Sequence, residues 1–273
     1  MALTALAAAV VAAVVPRAAA TTLVVRDGAA GLEVLMVRRS LQASFMPGAY
    51  VFPGGAVDAA DAAPASMALC DESAEALVQR IGTVTEVGDA ALGYAVAALR
   101  ECFEECGLWL GAPASAAAGG WPALRARLHA GEPLAALAAA AGATLATSVL
   151  QPWSHWVTPL GLPKRFDTLF FVAAAPPGQD AEVDAGETIT LEWVHPAAAL
   201  ATHAQGGFPM EFATVRTVES LRPHASVDAL LGHAAAQRRL PALHPRLRCG
   251  PRGDVVGVLL PGQPGYEDAG PPH

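Results

Sequence analysis

Arg100-Glu101-Cys102-Phe103-Glu104-Glu105-Cys106-Gly107-Leu108 is the stretch on which the reading of this chain turns. On a helix, Glu101, Glu104 and Glu105 stand at i, i+3 and i+4, so three carboxylates share one face. Like charges at that spacing repel, and a merely solvated helix gains nothing from them. Hard oxygen ligands grouped this way suit Mg²⁺ or Mn²⁺, which would neutralise the face. Arg100, one turn before Glu104, is placed to hold a carboxylate. Gly107 is a natural helix stop, so the spacing predicts a helix over 89–106. The plain alternative is an ordinary charged face, and the acidic triplet alone leaves the two readings in balance. Two features tip it. The chain around the triplet is poor in charge, and upstream Phe52-Pro53-Gly54-Gly55 is followed six residues later by the acid Asp61.

Working outward, 273 residues with 53% hydrophobic and 15% charged side chains supply ample material for a buried core. Acids outnumber Lys and Arg by 25 to 17, a net charge of −8. That balance speaks against broad attraction to nucleic acid or an anionic membrane. A phosphate-bearing substrate must then be met by local arginines or bound cations. Cys70, Cys102, Cys106 and Cys249 form no CxxC pair and have no neighbouring His to complete a zinc pattern. They read as small core residues of a reducing compartment, which makes the expected location cytoplasmic. Residues 1–15 are apolar and Ala18 and Ala20 mimic a cleavage site, but no basic residue precedes the run. It reads as an N-terminal extension, too short to span a bilayer before Pro16 and Arg17.

Strand character marks 21–26 and 33–39, joined by a turn over 27–31, and a short third strand over 50–52 runs into the glycines. A helix is expected over 72–81, with Leu77 and Ile81 at i and i+4. Residues 112–146 turn to Ala, Gly and Pro with weak helices at 121–129 and 133–141, which reads as an insertion or cap. Strands follow at 168–174, 188–194 and 255–260, and helices at 211–221 and 227–238. Without regular βαβ alternation this is an α/β (α+β) pattern: a mixed sheet covered by helices.

The two acidic segments resemble the halves of the Nudix box, G-x5-E-x7-R-E-U-x-E-E-x-G-U, where U is bulky and apolar. Gly55 and Asp61 match the first half; Arg100, Glu101, Glu104, Glu105, Gly107 and Leu108 match the second. Asp61 replaces Glu, Cys102 fills an apolar slot, and residues 62–99 separate the halves where the box has seven. One Nudix branch, the peroxisomal acyl-CoA diphosphatases, carries a long insertion at this point. Its members also resemble this chain in Trp153-Ser154-His155-Trp156-Val157-Thr158-Pro159 and in Arg165-Phe166-Asp167-Thr168. From Leu35 to Gly55 the chain is similar, without gaps, to the coenzyme A-directed signature L-L-T-x-R-S/A-x3-R-x3-G-x3-F-P-G-G. Val37 replaces its Thr and Ser44 its second Arg.

The resemblance implies the Nudix α/β/α sandwich, as one domain over 16–265 decorated by inserts at 62–88 and 112–146, with a flexible tail at 266–273. It implies Glu101, Glu104, Glu105 and the Gly54 carbonyl as ligands of Mg²⁺ or Mn²⁺, and Arg100 among the catalytic residues. Asp61 would support the loop-helix junction. A further acid from a later loop is expected, with Glu187 the first candidate and Asp180, Glu182, Asp184 and Glu192 its rivals. Arg39 and Arg165 are the candidate substrate contacts. Trp153 and Trp156 read as core or rim packing before they read as base-stacking residues. His155 reads as a satisfied hydrogen-bonding residue. The implied activity is hydrolysis of a pyrophosphate bond in a small nucleotide substrate. Coenzyme A or acyl-CoA, giving 3′,5′-ADP and (acyl-)4′-phosphopantetheine, is the first expectation. ADP-ribose, a dinucleotide or a capped RNA end is the alternative, and a binding module without catalysis is a third reading. The sequence leaves the oligomeric state open.

Overall fold

Strand β1 (Arg17–Gly28) and strand β2 (Gly31–Arg39) pair antiparallel, in register from Val25↔Val34 to Gly28↔Gly31. They are the centre of a computed structural model that describes residues 14–42, 47–111, 120–183, 188–251 and 254–269. Residues 1–13 of the expected N-terminal extension lie outside these ranges, as do Ser44 and residues 270–273. Gly31, at φ +110°, makes the reversal that a side chain would strain. The short strands β3 (Tyr50–Val51) and β4 (Gly54–Ala56) then add to β2 and β1 respectively. Helices α1 (Pro64–Met67), α2 (Ala74–Leu77), α3 (Thr83–Thr85), α4 (Ala91–Cys106), α5 (Gly120–His129) and α6 (Leu134–Ala141) follow. Next come β5 (Gln151–Val157), β6 (Phe166–Ala174) and β7 (Thr188–Val194), then α7 (Pro196–Ala204), α8 (Phe212–Leu221) and α9 (Val227–Ala236). A separate hairpin of β8 (Arg246–Cys249) and β9 (Val255–Leu259) closes the described chain.

The main sheet runs β3-β2-β1-β6-β5, with β4 also on β1 and β7 on β2. β1 and β6 are parallel and the other pairs antiparallel, so the sheet is mixed, as the pattern of elements requires. Val34, Leu35, Met36 and Val37 are all fully buried although successive side chains point to opposite faces. Both faces are covered, which is why the strand reads as a continuous apolar run. Val24, Leu35 and Val37 pack with α4; Leu23, Val25, Val34 and Met36 pack with residues of α8 and α9. The α4 face is built from Ala91, Ala95, Ala97 and Ala98, small enough to let the helix lie close to the sheet. Thr22, buried on that face, donates from Oγ1 to the Ala98 carbonyl at 3.1 Å and fixes the helix on β1.

Several expectations need correcting. β1 begins at Arg17 rather than 21, so Ala18 and Ala20 are sheet residues that pair with β6 and β4. The inserts are more than decoration. Leu77 and Ile81 from the first, and Leu124, Leu128, Leu134, Leu137 and Ala138 from the second, belong to the same core cluster as α4. Arg80 of the first insert donates to the carbonyls of Leu150 and Thr147. Trp121 of the second stacks on Trp109 with centroids 5.1 Å apart, and Phe103 of α4 meets both rings edge-on. At the start of the expected tail, Tyr266 is buried and donates its hydroxyl to the His244 carbonyl at 2.7 Å. The thiols of Cys102 and Cys106 are buried in the core and pushed up in pKa, chiefly by burial. Among the described residues no helix is long and apolar enough to cross a membrane.

Candidate active site

β4 and the last two turns of α4 meet over β1. A side chain at Gly54 would collide with the β1 backbone at Ala20 and Thr21, and one at Gly55 with the Glu101 carboxylate. Only glycine at 54 lets the strand lie this close to β1, and a side chain at 55 would displace the Glu101 carboxylate. The Gly54 N–H donates to Glu105 Oε2 at 3.1 Å. Gly107, at φ +70°, ends α4 by donating its N–H to the Phe103 carbonyl at 2.9 Å.

Arg100 organises the acids. Its guanidinium grips Asp61 with two parallel bonds, Nε to Oδ1 and Nη2 to Oδ2, each 3.0 Å. Nη2 also donates to the Ala56 carbonyl at 2.8 Å, and Nη1 to Glu101 Oε1 at 2.8 Å and Glu104 Oε2 at 3.3 Å. Asp61 is 2% exposed and accepts the Asp58 N–H at 2.8 Å. The two acidic segments, with 38 residues between Asp61 and Arg100, are therefore one structure.

The electrostatics are lopsided. Asp61, Glu101 and Glu104 surround one guanidinium, Glu105 stands on the same helix, and the C-terminal end of α4 adds its own partial negative charge. Burial, and then the nearby charges of Glu104 and Asp61, push the Glu101 carboxyl up to about 7 against the pull of Arg100. Among the described residues no three such side chains already converge on one point. The donor set nonetheless fits a hard divalent cation: carboxylate oxygens in net excess of positive charge, with one carboxyl that a cation would discharge.

The acids open onto a cavity of about 1050 Å³. Its lining includes Arg39 and Lys164 among the cations, and Trp156, Phe212 and Leu247 among the apolar groups. Of the sequence-proposed site residues, Gly54, Arg100, Glu101, Glu104, Glu105 and Arg39 all line it. Arg165 is placed elsewhere. It is 6% exposed, and its guanidinium donates to the carbonyls of Val14 at 2.7 Å and Thr158 at 3.0 Å, so its work is to tie the entry of β1 to the β5–β6 turn. Glu187 and its rival Asp184 lie outside the described residues. Glu192 accepts the Tyr50 hydroxyl at 2.6 Å, and the Glu182 N–H donates to the Cys106 carbonyl at 2.9 Å.

A family model described as the NUDT19 Nudix domain matches residues 2–92. Human acyl-coenzyme A diphosphatase NUDT19 is 28% identical over 211 residues, 63% of this chain and 55% of that protein. The Gallus gallus protein of the same name is 28% identical over 184 residues, 53% of this chain and 49% of its own. The chain thus spans about half the length of the curated relatives it matches. The crystal structure of a NUDIX hydrolase from Alicyclobacillus acidocaldarius superposes with a TM-score of 0.66 at 28% identity, covering 80% of this chain and 96% of that one. Each of these likenesses lies in the Nudix hydrolase family. Within it, the family model and both curated likenesses fall in the acyl-CoA diphosphatase branch. The model match ends at residue 92, before the second half of the Nudix box; the Arg100–Asp61 pair joins the halves in space.

The Nudix box also has contacts that the sequence reading missed. From α5, Arg125 donates through Nε to the Glu104 carbonyl at 2.9 Å, and His129 Nδ1 stands 3.8 Å from Glu104 Oε1 on the cavity wall. A lone histidine at the end of a short helix carries no sequence signal for this. Glu211 and Thr214 also line the cavity, brought there by the start of α8.

Proposed function

We propose that this chain is a divalent-cation-dependent hydrolase that cuts the diphosphate of coenzyme A or an acyl-CoA into 3′,5′-ADP and (acyl-)4′-phosphopantetheine. The observation that carries the reading is the acidic face of α4, joined by Arg100 to Asp61 and opening on a cavity of nucleotide size. Glu101, Glu104, Glu105 and the Gly54 carbonyl would hold Mg²⁺ or Mn²⁺. A cation bound there supplies Lewis-acid polarisation of the diphosphate and acidifies the attacking water. The chain's own residues supply the rest. Arg100 holds Glu101 and Glu104 against mutual repulsion, so the carboxylates face the cavity before substrate arrives. Arg39 and Lys164 offer charge to the phosphate oxygens, and Trp156 and Phe212 offer apolar surface to the organic part of the substrate. Glu187 keeps the role of candidate base for the water proton.

The support from relatives is of the same kind: the human and Gallus gallus likenesses carry the name acyl-coenzyme A diphosphatase. The test is a product survey with coenzyme A, a short acyl-CoA and ADP-ribose, in Mg²⁺ and in Mn²⁺, on wild type and Glu105→Gln. Coenzyme A substrates are expected to be cut best, and Glu105→Gln to lower kcat by at least about 10²-fold while the protein stays folded. ADP-ribose as the better substrate would overturn the substrate assignment. Near-normal turnover of Glu105→Gln would overturn the metal site.

A further inference from the structure

The cavity has a second polar feature that the acidic face does not use. Helix α8 starts on its wall: Phe212, Ala213 and Thr214, the first three residues of the helix, all line it. The first helical bond runs from the Val215 N–H to the Glu211 carbonyl at 2.9 Å, and Glu211 makes no side-chain cap. The N–H groups of Phe212, Ala213 and Thr214 accordingly find no acceptor among the described residues. A helix start of this kind favours an anion, through both the free donors and the dipole. The independent observation is Thr214. It is 7% exposed, and its hydroxyl has no hydrogen-bond partner among the described residues. The Thr217 hydroxyl one turn later is sealed from solvent, whereas that of Thr214 is left open where its residue meets the cavity. A threonine buried to this degree, with its hydroxyl still open and unpartnered, presents a donor to whatever occupies the cavity.

We propose that the first turn of α8 is a binding site for a phosphomonoester of the substrate, distinct from the diphosphate that is cut. For a coenzyme A-type substrate this is the phosphate on the ribose, so the inference rests on the diphosphatase reading and deepens it. Three N–H groups and the Thr214 hydroxyl are donors of the number and kind a phosphate's oxygens take up. Lys164 and Arg39, on the same cavity wall, add positive charge. Glu211 is the opposing feature: exposed on the rim beside the turn, it sets an upper limit on how tightly an anion is held. Phe212 meets Trp156 edge-on at 6.2 Å, which places apolar surface beside the turn for the nucleoside that carries the phosphate.

The experiment compares coenzyme A with dephospho-coenzyme A in wild type, Thr214→Val, Thr214→Ser and Glu211→Gln. Wild type is expected to prefer coenzyme A. Thr214→Val should raise KM for coenzyme A about tenfold, with kcat within about twofold and dephospho-coenzyme A unaffected. Thr214→Ser should restore the preference, and Glu211→Gln should lower KM for coenzyme A alone. Equal losses on both substrates, or no loss on either, would overturn the site. A binding titration of the wild-type protein with 3′,5′-ADP and 5′-AMP guards against a Thr214→Val variant that fails to fold. About tenfold tighter binding of 3′,5′-ADP supports the site, and equal affinities overturn it. Should neither coenzyme be cut while the titration still discriminates, the diphosphatase reading fails and the phosphomonoester site stands.

Discussion

Asp61→Asn removes one charge from the pair that closes the Nudix box and changes almost nothing else in shape. Asp61 and Arg100 are both buried and joined by two 3.0 Å bonds. Removing one member of such a pair typically costs about 3–5 kcal/mol, because the remaining charge is stranded away from water. Here Arg100 keeps Glu101 at 2.8 Å, Glu104 at 3.3 Å and the Ala56 carbonyl at 2.8 Å, so its charge is only partly stranded. Asn also retains one acceptor. We therefore expect a loss of about 2 kcal/mol, below the typical range for a buried pair and above that for an exposed one. Asp58 provides the control. It stands 3.8 Å from Arg100 with a side chain 63% exposed, and Asp58→Asn should cost no more than about 0.5 kcal/mol. Urea unfolding followed by the fluorescence of the five tryptophans measures both. Turnover of Asp61→Asn should fall about tenfold, since Arg100 no longer fixes the Glu101 and Glu104 carboxylates. Equal stability losses at 58 and 61, or a loss below about 0.5 kcal/mol at 61, would refute the reasoning.

Burial raises the Glu101 carboxyl from 4.5 to about 7, so in the metal-free protein its contribution to stability is complete below about 4.5 and is lost as the pH rises through about 7. The proton competes with a cation for that carboxylate, so calorimetric titration should find Mg²⁺ bound about tenfold more weakly at pH 6 than at pH 8, with proton release on binding; a pH-independent affinity would remove Glu101 from the ligand set. Ile81 is fully buried in the insert between the halves of the box, and Ile81→Ala should cost about 2–5 kcal/mol in urea unfolding while turnover of the folded protein stays within about twofold; a loss under about 1 kcal/mol would return the insert to the periphery.

The carboxylate face was legible because helical periodicity alone puts Glu101, Glu104 and Glu105 together, whatever the rest of the chain does. The β1–β2 hairpin was legible for a similar reason: both strands are dense in β-branched and apolar residues around a glycine turn. Arg165 was misread because a loop arginine beside a lysine looks the same whether it meets a phosphate or two carbonyls. Its partners Thr158 and Val14 lie 7 and 151 residues away, and no local pattern reports them. The inserts were undervalued because alanine-rich helices have little amphipathic contrast. Their burial depends on Leu77, Ile81 and Leu137 meeting α4, a tertiary fact. Strand β5 was hidden by the functional look of its Trp-Ser-His-Trp run. In the fold His155 bonds Asp167 across the β5–β6 pair and the Thr85 carbonyl of the first insert, and Trp153 donates to Ser220 of α8 at 2.9 Å.

That first insert raises a physical question, since a box split by 38 residues must close a longer loop than one with seven. For a flexible loop the added closure entropy grows only as the logarithm of length, and lengthening from seven to 38 residues costs about 1.5 kcal/mol. Burying Leu77 and Ile81 contributes roughly 1.5–3 kcal/mol each, before the bonds from Arg80 to the Leu150 and Thr147 carbonyls are considered. Ordering the insert's backbone opposes this gain, which is why the insert needs internal helix as well as anchors. Its anchors lie on α4 and β5, the elements that also carry the acids and the wall residue Trp156. An insertion that replaces a tight turn can therefore leave the catalytic geometry intact, provided both of its ends are fixed independently. Gly54 and Gly55 are fixed by the β1–β4 ladder, and Arg100 by the seating of α4 on β1 through Thr22. Asp61 then needs only to reach Arg100, and the length of chain between them is free to vary.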